Sequence, residues 1–167
     1  MKDNRRLLKM RSLGLDVGDK RIGVALSDPE GVIAFSLTTI AAADRNAAIE
    51  NIIQLAEQYE TQHIVVGLPL CLDGKLGTQA EKVMSFADEL SSQAKLGNLS
   101  QVNIQLWDER LSTIAAERLL IEAQDGGNKP KSAIKKKISS KKRDSPRNGV
   151  DAMAAAFILQ GFLDSLR

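Results

Sequence analysis

The run Leu13-Gly14-Leu15-Asp16-Val17-Gly18-Asp19-Lys20-Arg21-Ile22-Gly23-Val24-Ala25 decides the fold. Ser12 to Val17 alternates weakly into Gly18, and Arg21 to Leu26 is a second short apolar, β-branched run beyond a Gly-Asp turn. A third, Val32 to Thr39, follows Asp28-Pro29-Glu30-Gly31. These predict three sequential antiparallel strands. The spacing then becomes helical from Asp44 to Thr61, with Ala48, Ile52, Leu55, Ala56 and Tyr59 on one face and Asp44 as N-cap. His63 to Leu70 is continuously apolar, as in a parallel strand buried on both faces. A second helix over Thr78–Ala94 turns Ala80, Val83, Met84, Ala87 and Leu90 inward and ends at Lys95-Leu96-Gly97-Asn98. Val102 to Trp107 gives another strand. Ser112 or Thr113 caps a third helix to about Ala123, and an alanine-rich helix runs from about Asn148 to Leu166. The fold class is α/β: a mixed central sheet, three antiparallel strands then alternating helix and strand, flanked by helices.

The 167 residues suit one domain, with a core over about 12–164, and a hydrophobic fraction of 43% supports that core without staples. The lone Cys71 and the absence of a long apolar stretch near the N-terminus lead to the expectation of a reducing, cytoplasmic setting. No apolar run approaches the ~20 residues of a membrane-spanning helix. Net charge is only +2, but Lys129, Lys131, Lys135, Lys136, Lys137, Lys141, Lys142, Arg143 and Arg147 are opposed locally only by Asp144. A basic loop over about 125–148, expected to be mobile, lies between two candidate site segments, which favours phosphate contact over a merely solvated run.

Asp16 places a carboxylate among apolar neighbours near a strand end, where an unpaired charge costs roughly several kcal/mol. Either a metal ion or an ion pair with Lys20 or Arg21 must compensate it. Gly18 and Gly23 allow tight turning and close approach. Asp108 and Glu109 close another strand, and since neighbouring strand residues face opposite ways, one of the two faces Asp16. Glu109 is slightly favoured, although a bulge would present Asp108 instead. The plainer alternative is an ion pair to Arg110. Asp151, in Gly149-Val150-Asp151-Ala152-Met153-Ala154, opens the last helix, a position that also suits a simple helix-dipole charge. Taken together, carboxylate oxygens of this kind suit Mg²⁺ or Mn²⁺, which activate water and bind phosphate. Lys20, Arg21 and Arg110 can hold phosphates or only balance charge. Gly67, Asp73 and Gly74 form a turn after the buried strand, with backbone N–H groups available to substrate or with no role beyond the turn.

These segments, with Val65-Val66-Gly67-Leu68-Pro69-Leu70, Asp73-Gly74, Asp108-Glu109-Arg110-Leu111-Ser112-Thr113 and Asp151-Ala152-Met153-Ala154-Ala155, give a chain that resembles the YqgF, or RuvX, group of Holliday junction resolvases and pre-rRNA nucleases from about Leu13 to Leu163. The resemblance implies an RNase H-like fold and a metal-dependent hydrolase. It implies that Asp16, one acid of the Asp108-Glu109 pair and Asp151 are the catalytic carboxylates, with Asp16, Glu109 and Asp151 on the metal. The implied process is maturation of small-subunit ribosomal RNA, and the implied partners are precursor rRNA or branched DNA and ribosomal assembly particles. Cys71 stands where the family usually has Asn, which affects a loop contact and not the metal site. A dimer would suit a two-fold junction, a monomer the trimming of one RNA end.

His63 precedes a buried strand on the side away from the acids and reads as structural, and no His-based triad is available. Cys71 has no His or second Cys beside it to make it a nucleophile or zinc ligand. Trp107 and Tyr59 read as core, and with aromatics at 4% a stacking-dominated single-strand binder is disfavoured. An actin-like or Hsp70-like ATPase shares the Asp16-Val17-Gly18 hairpin, but the chain lacks a second phosphate loop and an adenosine site. A non-catalytic RNA-binding assembly factor on the same fold is the remaining rival.

Overall fold

The computed structural model describes residues 11–71, 73–110 and 148–167. Within them the order is β1 (Ser12–Val17), β2 (Arg21–Ser27), β3 (Ala34–Ala41), α1 (Arg45–Gln58), β4 (His63–Leu68), α2 (Thr78–Leu96), β5 (Asn103–Asp108) and α3 (Asn148–Ser165). The strands form one sheet in the order β3-β2-β1-β4-β5, antiparallel from β1 to β3 and parallel from β1 to β5. This is the expected mixed α/β sheet. The helix expected at 112–123 lies outside the described residues, as does the basic loop expected over 125–148 up to Asn148, where α3 begins.

Strand alternation sorts the core into two layers. Leu13, Leu15, Ile22, Val24, Ile64 and Val66 point to one face, where Ala48, Ile49 and Ile52 of α1 and Val83, Phe86 and Leu90 of α2 cover them. The opposite face carries Ala25 and Val65, packed under Ala155, Ile158, Leu159, Phe162 and Leu163 of α3. Burying each of the larger side chains contributes roughly 1.5–3 kcal/mol, so α3 is fastened by its C-terminal half.

Several boundaries shift by one to three residues from the sequence reading, and three of the shifts have a clear local reason. β3 begins two residues late because Asp28 Oδ1 accepts the N–H groups of Val32 and Ile33 at 2.6 and 2.9 Å, drawing both into the preceding turn. α1 is capped by Asp44 as expected, with Oδ1 accepting from the Ala47 N–H at 3.1 Å, but ends at Gln58 and not Thr61. There Glu60 adopts φ 51° and a Schellman closure forms: Thr61 N–H donates to Ala56 C=O and Glu60 N–H to Glu57 C=O. β4 stops at Leu68 because Pro69 has no N–H to extend the ladder. Two inner-face assignments also change: Phe86 is buried while Met84 is half-exposed, and Tyr59 is the half-buried C-cap of α1.

On the α3 face, bare strand positions allow the helix backbone itself to rest on the sheet. A Cβ at Gly14 would lie 2.6 Å from Leu159 Cβ and 2.8 Å from the Ala155 carbonyl oxygen, and one at Gly23 would lie 1.9 Å from the Asp151 carbonyl oxygen. Gly23→Ala must therefore lift the first turn of α3, and urea unfolding should show a loss of about 2–3 kcal/mol. Gly97→Ala, where the nearest atom to a new Cβ is 3.8 Å away, should stay within about 0.5 kcal/mol of wild type.

Candidate active site

Asp16 lies on the α3 face, two residues on from Gly14, and pairs across β1–β2 with Gly23. On its other side, β1 and β4 pair through Leu15 and Val66, so Gly67 is the next residue beside Asp16. Both neighbours of this carboxylate thus lack side chains. Asp151, in the first turn of α3, comes down on Gly23. Glu109 and Ile158 share the space over Gly67: a Cβ there would lie 2.5 Å from Ile158 Cδ1, 2.6 Å from Glu109 Oε1 and 3.1 Å from Glu109 Cγ. The sheet therefore brings acids from β1, from the residue after β5 and from α3 to one place.

The choice between Asp108 and Glu109 is made by where β5 ends. Asp108 is its last residue and Glu109 is already helical, so the two carboxylates diverge. Asp108 accepts from the Arg110 backbone N–H at 3.0 Å, from Nε at 3.0 Å to each oxygen, and from Nη2 at 2.6 Å. That guanidinium holds the Asp108 carboxyl below the usual range. Glu109 instead is pushed up to about 7, first by burial and then by the charges of Asp16 and Asp108. Asp16 is also raised, by burial and then by Asp151. The half-buried acids at Asp16, Glu109 and Asp151 are thus an electrostatically coupled group.

The expected alternative for Asp16, an ion pair to Lys20 or Arg21, is absent among the described residues. Arg21 goes to Asp151, with Nε 2.9 Å from Oδ2, and Lys20 is exposed on the β1–β2 turn. Among the described residues, no three His, Cys, Asp or Glu side chains are gathered tightly enough to chelate an ion as they stand. The donor chemistry nevertheless fits a hard divalent cation: all ligands are oxygens, two acids are destabilised by their neighbours' charge, and buried Asp151 Oδ2 has no hydrogen-bond partner.

After β4 the chain forms a small loop closed by a Leu70–Leu76 bridge and by a hydrogen bond from Cys71 N–H to Lys75 C=O. Asp73 Oδ1 accepts the Lys75 N–H at 3.0 Å, and Gly74 takes φ +80°, a conformation that favours glycine. A Cβ on Gly74 would lie 3.7 Å from Arg110 Nη1, so the loop tip flanks the Asp108–Arg110 pair. Gln79 had no sequence signal, yet its Nε2 donates to the Val17 carbonyl at 3.2 Å and fixes the start of α2 against the end of β1.

The residues set aside stay outside this group. Trp107 is core, edge-on to Phe162 at 5.7 Å, and Cys71 is exposed and free. His63 lies 6.2 Å from the Phe162 ring at the start of β4, where burial lowers its pKa.

A family model described as RuvX, Holliday junction resolvase, matches residues 10–165. A Clostridium botulinum (strain Hall) protein named "Putative pre-16S rRNA nuclease" is 41% identical over 157 residues, covering 94% of this chain and 98% of that protein. A protein of the same name from Thermoanaerobacter pseudethanolicus is 44% identical over 156 residues, covering 93% and 97%. Among solved structures, Thermus thermophilus RuvC in complex with a Holliday junction substrate superposes with TM-score 0.55 at 12% identity, covering 93% of this chain and 96% of that one. The yeast mitochondrial Holliday junction resolvase gives 0.50 at 13% identity, covering 95% and 82%. At these identities the two structures support the RuvC-like, RNase H-like fold.

Because the pKa of folded Glu109 is raised from 4.5 to about 7, the unfolded chain gives up this proton first. Stability of the metal-free protein from this group is therefore greatest below pH 4.5 and is lost as pH rises through 7. With EDTA at pH 8, Glu109→Gln should melt about 2–4 °C above wild type, and the difference should shrink towards zero near pH ~4.5.

Proposed function

The chain belongs to the RuvX family, and from that membership we propose that it is a metal-dependent nuclease that processes the 5′ end of precursor 16S rRNA. The observation that carries the mechanism is the placing of Glu109 and Asp151 on the two glycine positions that flank Asp16. Asp16, Glu109 and Asp151 would hold Mg²⁺ or Mn²⁺, which when bound would supply activation of water and charge compensation at the phosphate. Glu109, poised near neutrality, suits a ligand or a base that accepts the proton of the attacking water. Asp108 acts through Arg110: its aligned hydrogen bonds hold the guanidinium beside the Gly74 loop, where it can meet a flanking phosphate. Lys20 and the backbone of Asp73 and Gly74 complete the proposed substrate contacts.

The substrate assignment follows the names of the relatives, which cover nearly the whole chain at 41–44% identity. On this reading the protein acts in the cytoplasm on ribosomal assembly particles, and we propose it as a monomer or homodimer. The family description favours a second reading, resolution of four-way DNA junctions.

Cleavage of labelled precursor-rRNA ends, unstructured RNA and four-way junctions in Mn²⁺ or Mg²⁺ tests the proposal. Wild type should cut the precursor end, EDTA should stop it, and Asp16→Asn should lower the rate at least about 10³-fold with the fold retained. Preferential junction cleavage would move the assignment to branched DNA. RNA binding without cleavage under any metal condition would favour the assembly-factor role.

A further inference from the structure

The half-buried Arg21 side chain is held against Asp151. Arg21 is the first residue of β2, paired with Ala41 of β3, and its carbonyl accepts the Gly18 N–H at 2.9 Å, so its backbone is fixed by both strand and turn. The Asp151 backbone is fixed in turn by its seat on Gly23. Between these anchors the side chains meet Nε to Oδ2 at 2.9 Å, with 35% and 32% of each side chain exposed. Both contacting atoms are shut off from solvent, and neither has an aligned hydrogen bond.

Arg110 makes a contrasting, well-aligned ion pair. It meets both oxygens of Asp108 with aligned bonds of 2.6–3.0 Å. Arg21 offers Asp151 a nearby charge without that geometry. The distance keeps the pair together when the rest of the group is acidic, and the poor alignment makes the contact easy to give up.

We propose that Arg21 is the internal counter-cation of the acidic group: it holds Asp151 while no metal ion is bound and competes with that ion for the carboxylate. The inference rests on the metal reading given above and adds a positioning role to Arg21. A guanidinium and a divalent ion cannot both stay close to one carboxylate without strong mutual repulsion. With an ion held by the acids, Arg21 would give up its contact with Asp151 and its guanidinium would become available to a phosphate. In the metal-free state the same contact offsets repulsion between Asp151 and Asp16.

Mn²⁺ titration calorimetry on the full chain without nucleic acid, comparing wild type, Arg21→Gln and Arg21→Lys, tests the competition. Removing the charge should tighten Mn²⁺ binding about tenfold, whereas Arg21→Lys should stay within about threefold of wild type. Metal-free Arg21→Gln should melt below wild type, and saturating Mn²⁺ should close the gap. In wild-type protein, the Arg21 Nε–H resonance should shift on Mg²⁺ saturation, a readout that needs no variant to fold. Unchanged or weaker Mn²⁺ binding by Arg21→Gln, or an unmoved Nε–H resonance in protein that binds Mg²⁺, would overturn the competition alone. Wild type that takes up neither ion would overturn the metal reading and this inference together.

Discussion

The missing side chains at Gly23 and Gly67 govern the rest of the structure. A sheet ordinarily surrounds each inward residue with side chains on adjacent strands, which would leave no room for a helix backbone on one side of Asp16 or a glutamate on the other. With both positions bare, Asp151 reaches the sheet over one and Glu109 over the other. The resulting crowding of like charge opposes folding. Ile158, Leu159, Phe162 and Leu163 bind the far half of α3 to the sheet with enough apolar burial to hold its acidic first turn down. The site is thus a locally unfavourable arrangement supported by packing further along the same helix.

Much of this was legible in the sequence because period and punctuation agreed. The continuous apolar run of β4 reported burial on both faces, and the alanines at 152 and 155 reported close approach of α3 to the sheet. What could not be read depended on geometry absent from any local pattern. Glu60 closes α1 in a conformation for which glycine is the usual signal, so the helix looked longer than it is. Phe86 is buried with the Arg45 guanidinium 5.7 Å from its ring centroid, and helical spacing had assigned that depth to Met84.

The site shows the same division. Asp16, Asp151 and the Asp108-Glu109 pair could be found as acids in costly or helix-opening positions. Which member of the pair faces Asp16 depended on one event, the end of β5 at Asp108, which turns the next residue into a helix and over Gly67. Arg21 was visible as a cation near the group, but its partner was not, because Asp151 becomes a neighbour only once α3 is laid across Gly23. Gly67 itself read as part of a turn, whereas its larger effect is the space it leaves for Glu109.

The central claim is that Asp16, Glu109 and Asp151 act as one group whose shared charge a divalent cation relieves. Carboxyl ¹³C titration of Asp and Glu side chains, with and without saturating Mg²⁺, tests it most directly. The account predicts a Glu109 midpoint near 7 in metal-free protein that falls well below neutrality with Mg²⁺ and falls in metal-free Asp16→Asn as well. A Glu109 that titrates at the ordinary glutamate value and responds to neither Mg²⁺ nor the loss of the Asp16 charge would contradict it.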